Sequence, residues 1–140
     1  MRAGCDALER DGVQIVKRSH AYETEPQDDA AGQQDFLNAC IEVETELDPE
    51  ELLAAAKRIE VELGRDLDAR RHSPRPLDID VLMLSHPPID APDYQVPHRQ
   101  LWHRRFVIQP LLELDPPDRE ALERALEAVQ DQRVTRVGLF

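Results

Sequence analysis

Aromatic residues, glycine and cysteine are all scarce in this chain, and each scarcity closes off a class of protein. Aromatics make up 4% of the 140 residues, so aliphatic side chains must fill most of any core. The five glycines form no Walker pattern, so a nucleotide has to be held without a P-loop. Nor does any strand-like run lead into the glycine-rich turn of a dinucleotide-binding βαβ unit. The two cysteines, Cys5 and Cys40, and the five histidines show no zinc-like spacing. Neither a disulfide nor a structural metal is expected, and Cys40, inside an apolar strand-like run, reads as a small buried hydrophobe. No apolar run approaches the roughly 20 residues that cross a bilayer. Residues 1–20 lack the features of a signal peptide, so a cytoplasmic protein without membrane contact is expected. Basic residues are outnumbered 17 to 29 and the formal net charge is −12, which argues against nucleic acid as a partner.

What is present is unevenly distributed. At 41% hydrophobic residues the chain is able to bury one core, and residues 1–140 read as a single domain. Two basic clusters stand out from the acidic background. One contains Arg65, Arg70, Arg71 and Arg75, the other Arg99, Arg104 and Arg105. Two readings stay open on charge alone: a local anion site, or neutralisation of acidic neighbours.

Periodicity outlines an α+β chain. Residues 3–10 predict a short helix, ended by the turn signal Asp11-Gly12. Residues 13–24 predict a strand with Val13 and Ile15 on one face and Val16 on the other. A polar loop is expected over 25–34. Over 36–47, Ile41, Val43 and Thr45 alternate with Glu42, Glu44 and Glu46, the pattern of a strand with one wet face. Asp48 as N-cap, Pro49 at the first turn and Glu51 three residues after the cap announce a helix, and Gly64 closes it. Leu52, Ala56, Ile59 and Leu63 give that helix one apolar stripe, with Glu60 beside it. A basic loop is expected over 65–76 and a short strand over 77–84. A proline-rich loop follows from 86 to 97. Residues 105–113 predict a helix interrupted by Pro110. Asp118 predicts the cap of a helix over 119–131, and 134–140 a closing strand.

Chemistry concentrates at Asp78-Ile79-Asp80. Side chains two apart on a strand share a face at roughly 7 Å spacing, suited to one or two magnesium ions that also bind phosphate oxygens. The alternative is the exposed face of an edge strand, and nucleotide-sugar transferases carry D-x-D as well. Arg71 and Arg75 arrive just before the pair, with Pro74 and Pro76 stiffening the approach, and guanidinium groups suit phosphate oxygens. Carboxylates, metal and arginines together are what phosphoryl-type transfer requires. The other reading of this loop is a flexible basic linker.

The stretch RIEVELGRDLDARRHSPRPLDIDVLML resembles the signature of the 6-hydroxymethyl-7,8-dihydropterin pyrophosphokinase family. AYETEP is similar to its Y-x-T-x-P, DFLNACIEVET to its [YF]-L-N strand, and VPH to its V-P-H. RRFVIQPLLELDP resembles its R-x-F-[VM]-L-x-P-L-x-E-[IL]-x-P. The likeness covers roughly residues 15–116, five motifs in order. It implies a ferredoxin-like βαββαβ sandwich and transfer of pyrophosphate from ATP to the pterin hydroxymethyl group in folate biosynthesis, with release of AMP. It further implies that Asp78 and Asp80 bind two magnesium ions. Arg65, Arg75 and Arg71 would meet the triphosphate, with His98 and Arg104 on the nucleotide side. Thr24, Phe36, Asn38 and Phe106 would form the pterin pocket, the two rings sandwiching the heterocycle. Read without the resemblance, Phe36 and Phe106 are core residues, Asn38 caps a turn, Thr24 is a strand residue, and His98 lies in a surface loop.

The chain departs from the family pattern where the family opens with a strand and a glycine-serine-asparagine turn, which is not found ahead of the first helix. His72 stands where tryptophan is common, Asp66 and Asp68 make the loop less basic, and Arg99 follows V-P-H. A monomer is expected, with a strand-swapped or assisted dimer as the alternative. Two other functions are the alternatives: a non-catalytic binding or scaffold protein derived from this fold, and a D-x-D transferase acting on a nucleotide sugar.

Overall fold

The computed structural model describes residues 1–24, 36–64 and 77–140. The loops expected over 25–34 and 65–76 lie outside the described residues. Among those described, the elements in chain order are α1 (Arg2–Arg10), β1 (Val13–Arg18), β2 (Ala21–Thr24), β3 (Phe36–Asn38), β4 (Ile41–Thr45), α2 (Pro49–Glu62), β5 (Ile89–Asp90), β6 (Gln95–Val96), a 3-10 turn at Leu101–His103, α3 (Arg105–Leu112), α4 (Arg119–Ala128) and β7 (Val134–Gly138). The class is α+β, as the sequence predicts. The residues group into two compact units, one of 1–15 and 43–98, the other of 16–42 and 99–140.

In the first unit α1 packs on α2. The sequence dictates α2 at both ends. The Asp48 carboxylate accepts the Glu51 N–H at 2.8 Å, the Glu51 carboxylate accepts the Asp48 N–H at 3.3 Å, and Gly64 takes a φ of 111° just past the last turn. Such a box stabilises a helix by about 1 kcal/mol. The stripe faces inward: Leu52, Ala56 and Ile59 are buried together with Cys5, Leu8 and Val13. Burying a side chain such as Ile59 contributes about 1.5–3 kcal/mol. Charged edges lace the helix pair, with Arg10 on Glu62 at 2.7 Å and Arg58 on Asp11 at 2.8 Å. Leu77 packs against α1 at Gly4, where an added Cβ would come within 2.9 Å of the leucine Cδ2. β5 and β6 form a short antiparallel ribbon pairing Ile89 with Val96 and Asp90 with Gln95.

In the second unit β2 is the centre of a three-stranded antiparallel sheet ordered β3-β2-β7. α3 packs against β2 and β3, and α4 against α3. The core is aliphatic, as the shortage of aromatics requires, with Leu101, Ile108, Leu111, Leu114 and Leu122 buried.

Several expectations are corrected. The long strands predicted over 13–24 and 36–47 are each broken, into β1 and β2 and into β3 and β4, with β1 pairing β4. The breaks oppose one another at Ser19 and Cys40. There the Ser19 N–H donates to the Cys40 carbonyl at 2.9 Å, while the Cys40 N–H donates to the Ser19 hydroxyl at 2.9 Å. A side-chain oxygen thus replaces one ladder acceptor, and the ladder does not run on. Residues 77–84 belong to no ladder among the described residues. Burial still alternates, with Asp78 and Asp80 exposed and Ile79 partly covered, yet the Ile79 N–H donates to the Glu60 carboxylate and the Leu82 carbonyl accepts the His98 N–H. Finally, α3 runs through Pro110. Proline disturbs a helix by clashing with the turn behind it and removing one donor. The position is the sixth of only eight residues, so just one late-turn bond is at stake. At α4, Asp118 is the residue before the helix but takes a left-handed φ of 58° and makes no side-chain cap bond, so it marks the boundary without the capping chemistry.

Candidate functional site

The sequence places its metal-binding candidates in the first unit and its pterin candidates in the second, and each group occupies a distinct setting. In the first unit a cleft of about 250 Å³ is lined by Asp78, Asp80, His98, Glu60 and Lys57, together with Leu53, Val81, Leu84 and Tyr94. Both aspartates are exposed, on either side of Ile79. Glu60, which the sequence sets beside the apolar stripe, is given no part in the site by the sequence alone. It projects from α2, is 7% exposed, and its carboxylate accepts the Ile79 N–H at 2.7 Å. That bond fixes the backbone between the two aspartates, and an ionised acceptor makes it stronger than a neutral one. The signal was its place beside the apolar stripe, since a carboxylate there has to be buried with a partner. His98 is tied to the same segment through its backbone bond to Leu82, at 2.9 Å. Asp78 and Asp80 offer the cleft carboxylate oxygens, the chemistry that suits magnesium, and two such groups leave room for phosphate oxygens and water. Arg65, Arg71 and Arg75 lie outside the described residues.

In the second unit Thr24 and Asn38 are brought together by strand register. Tyr22 faces Asn38 and Thr24 faces Phe36 across the β2–β3 pair, and the Asn38 amide donates to the Thr24 hydroxyl at 3.1 Å. Thr24 is buried at 5% exposure, whereas Phe36 is 44% exposed. An exposed ring on a sheet edge is not the core residue that frequency alone favours. Phe106 lies in the first turn of α3, the helix that packs on these two strands. The Arg104 guanidinium stacks over the Phe106 ring, 5.6 Å from its centroid, a cation–π contact. The structure therefore places Arg104, expected on the nucleotide side, beside a residue expected in the pterin pocket.

The far end of α3 carries Glu113. Its carboxylate accepts three hydrogen bonds: from the Tyr22 hydroxyl, from the His20 backbone N–H at 2.8 Å, and from the His20 ring Nδ1 at 2.9 Å. Burial opposes its ionisation, but the donors from Tyr22 and His20 together outweigh that and hold the carboxyl below its ordinary range. Tyr22 responds in the opposite sense. Burial first, then the neighbouring carboxylate, push its phenol up to about 12. Cys40, buried and with its thiol 3.7 Å from the Val107 carbonyl, is likewise pushed up to about 12 by burial, so it is an inert thiol.

Comparison with known proteins bears on the family. The family model described as 7,8-dihydro-6-hydroxymethylpterin-pyrophosphokinase (HPPK) matches residues 1–116. The chain is 37% identical to the 2-amino-4-hydroxy-6-hydroxymethyldihydropteridine pyrophosphokinase of Bacillus subtilis, over 89% of this chain and 72% of that protein. It is 35% identical to the Pseudomonas aeruginosa protein of the same name, over 98% of this chain and 86% of its relative. A "Folate synthesis bifunctional protein" of Arabidopsis thaliana is 42% identical over 74% of this chain, and the chain spans only 21% of its length. Among the described residues no helix is long and apolar enough to cross a membrane. With a family model over most of its length and pyrophosphokinases of similar size among its relatives, the chain belongs to the HPPK family.

Proposed function

We propose that the chain transfers the pyrophosphoryl group of ATP to the hydroxymethyl oxygen of 6-hydroxymethyl-7,8-dihydropterin, releasing AMP, as a step of folate biosynthesis. The observation that carries this reading is the acid pair: Asp78 and Asp80 line one cleft, and the backbone between them is held by the buried Glu60 carboxylate. Asp78 and Asp80 would hold two magnesium ions, a group that would supply neutralisation of phosphate charge and a lower pKa for the attacking hydroxyl. Arg65, Arg75 and Arg71 meet the triphosphate, and His98 and Arg104 serve the nucleotide. Thr24 and Asn38 supply hydrogen bonds to the pterin, and Phe36 and Phe106 cover its faces. The pterin oxygen attacks the β-phosphorus, the bond from that phosphorus to the α-phosphate oxygen breaks, and AMP carries that oxygen away. Positioning and charge neutralisation supply most of such a rate enhancement.

The remaining parts of the proposal are a single HPPK-like domain over residues 1–140, a monomer in solution, and a cytoplasmic location. The test is AMP release by this chain with ATP, magnesium and the dihydropterin, beside a pterin-free control. Pterin-dependent AMP is expected. AMP formation that ignores the pterin would overturn the assignment, and pterin binding without AMP would favour the non-catalytic binding protein.

A further inference from the structure

We propose that Glu113 is a positioning residue for the pterin, holding β2 and α3 in the register that sets Thr24, Asn38 and Phe106 around the ring. This rests on the pterin reading above and extends it to a residue that touches no substrate. Glu113 stands just past the last turn of α3, and Phe106 lies in the first. Its three donors all come from the chain entering and running through β2: the His20 N–H, the His20 ring and the Tyr22 hydroxyl. Tyr22 in turn is the cross-strand partner of Asn38 and lies two residues before Thr24, on the same face of the strand. Both Tyr22 and Thr24 are buried. A continuous set of contacts therefore runs from one end of α3 through Glu113 and Tyr22 to the Thr24–Asn38 hydrogen bond.

The chemistry suits a clamp. An ionised carboxylate accepts several hydrogen bonds at once, each stronger than a neutral one, and its side chain retains only 25% of its exposure. The low carboxyl and high phenol pKa of this pair agree with a charged acceptor and a neutral donor across the neutral pH range. The phenol's other role, as core filling, needs no carboxylate. The network uses two motif residues, the tyrosine of AYETEP and the glutamate of PLLE, for which the proposed mechanism has no other use.

The test is steady-state kinetics on the full chain for Glu113→Ala, Glu113→Gln, Tyr22→Phe and Thr24→Val, with each substrate varied in turn. Glu113→Ala is expected to raise the pterin KM about tenfold while the ATP KM stays unchanged, a misplacement effect. Glu113→Gln, which keeps one acceptor, and Tyr22→Phe, which removes one donor, are expected to fall between; they also serve if the alanine variant does not fold. A merely structural role would lower the amount of active enzyme, and with it kcat, leaving the pterin KM unmoved; that result overturns the proposal. Thr24→Val separates the two levels. If it raises the pterin KM and the Glu113 variants do not, the positioning role fails and the pterin site stands. If neither moves it, the pterin assignment of this strand pair fails too.

Discussion

Asp78 and Asp80 stand on backbone that no ladder holds among the described residues, whereas Thr24 and Asn38 stand on neighbouring strands of a three-stranded sheet. The two halves of the proposed chemistry are thus fixed by different means. In the first unit, among the described residues, the Ile79 N–H donates to the Glu60 carboxylate and the His98 N–H to the Leu82 carbonyl. In the second, main-chain pairing sets the register, and the helix end at Glu113 braces it. A ladder distributes its restraint over many bonds, so one side-chain deletion leaves the backbone in place. A segment outside any ladder among the described residues depends more on each individual bond.

The largest effect is expected from the acid pair itself. Asp80→Ala should reduce turnover by about a thousandfold or more, since it removes a carboxylate proposed to hold the metal, while the exposed position should leave stability within about 0.5 kcal/mol. Turnover near the parent value would remove the metal from the mechanism. Next comes the bond beneath the pair. Glu60→Leu leaves the Ile79 N–H without its acceptor and should lower kcat about 10–100-fold, as loss of a group that orients metal ligands does. Glu60→Gln, which keeps a carbonyl acceptor, should recover much of the loss. If kcat is the same in all three proteins, the segment is held by something else, and the contrast between the units falls.

Asn38→Ala tests the other side. The ladder keeps β3 in place, so the loss should be confined to one or two hydrogen bonds, raising the pterin KM about tenfold with kcat and the ATP KM little changed. A drop in melting temperature as large as that of Glu60→Leu would show that the sheet has no more reserve than the single-bond segment.

Local rules read much of this from sequence, and non-local ones set where that reading stopped. The ends of α2 were legible because Asp48, Glu51 and Gly64 act on their own neighbours. The alternation of 77–84 was legible too, but a strand requires a partner, and pairing depends on residues far away in the chain. The same limit hid the breaks at Ser19 and Cys40, which exist only because those two residues meet. The acid pair stood out as carboxylates in an apolar run. Glu60 and Glu113 did not, because a carboxylate that serves by bonding a distant N–H or hydroxyl looks like any other glutamate until its partner is known.

The smallest expected effect lies at high pH and in the second unit alone. With its folded pKa at about 12 against an ordinary 10, Tyr22 holds its proton more tightly in the folded chain than in the unfolded one. Its contribution to stability is therefore complete below about pH 10 and is lost as pH rises through about 12. Glu113 behaves oppositely: its lowered pKa gives a contribution present above the ordinary carboxyl range and lost as acid titrates the folded group. Melting temperatures of the parent and of Tyr22→Phe, taken every half unit from pH 9 to 12, isolate the phenol, because every other titrating group is common to both. The parent should lose stability relative to the variant over the upper two units. Amide exchange should then speed up in β2 before it does in α2. Parallel melting curves would show that the phenol ionises as readily in the folded chain as outside it, so that neither its burial nor the Glu113 carboxylate holds it neutral.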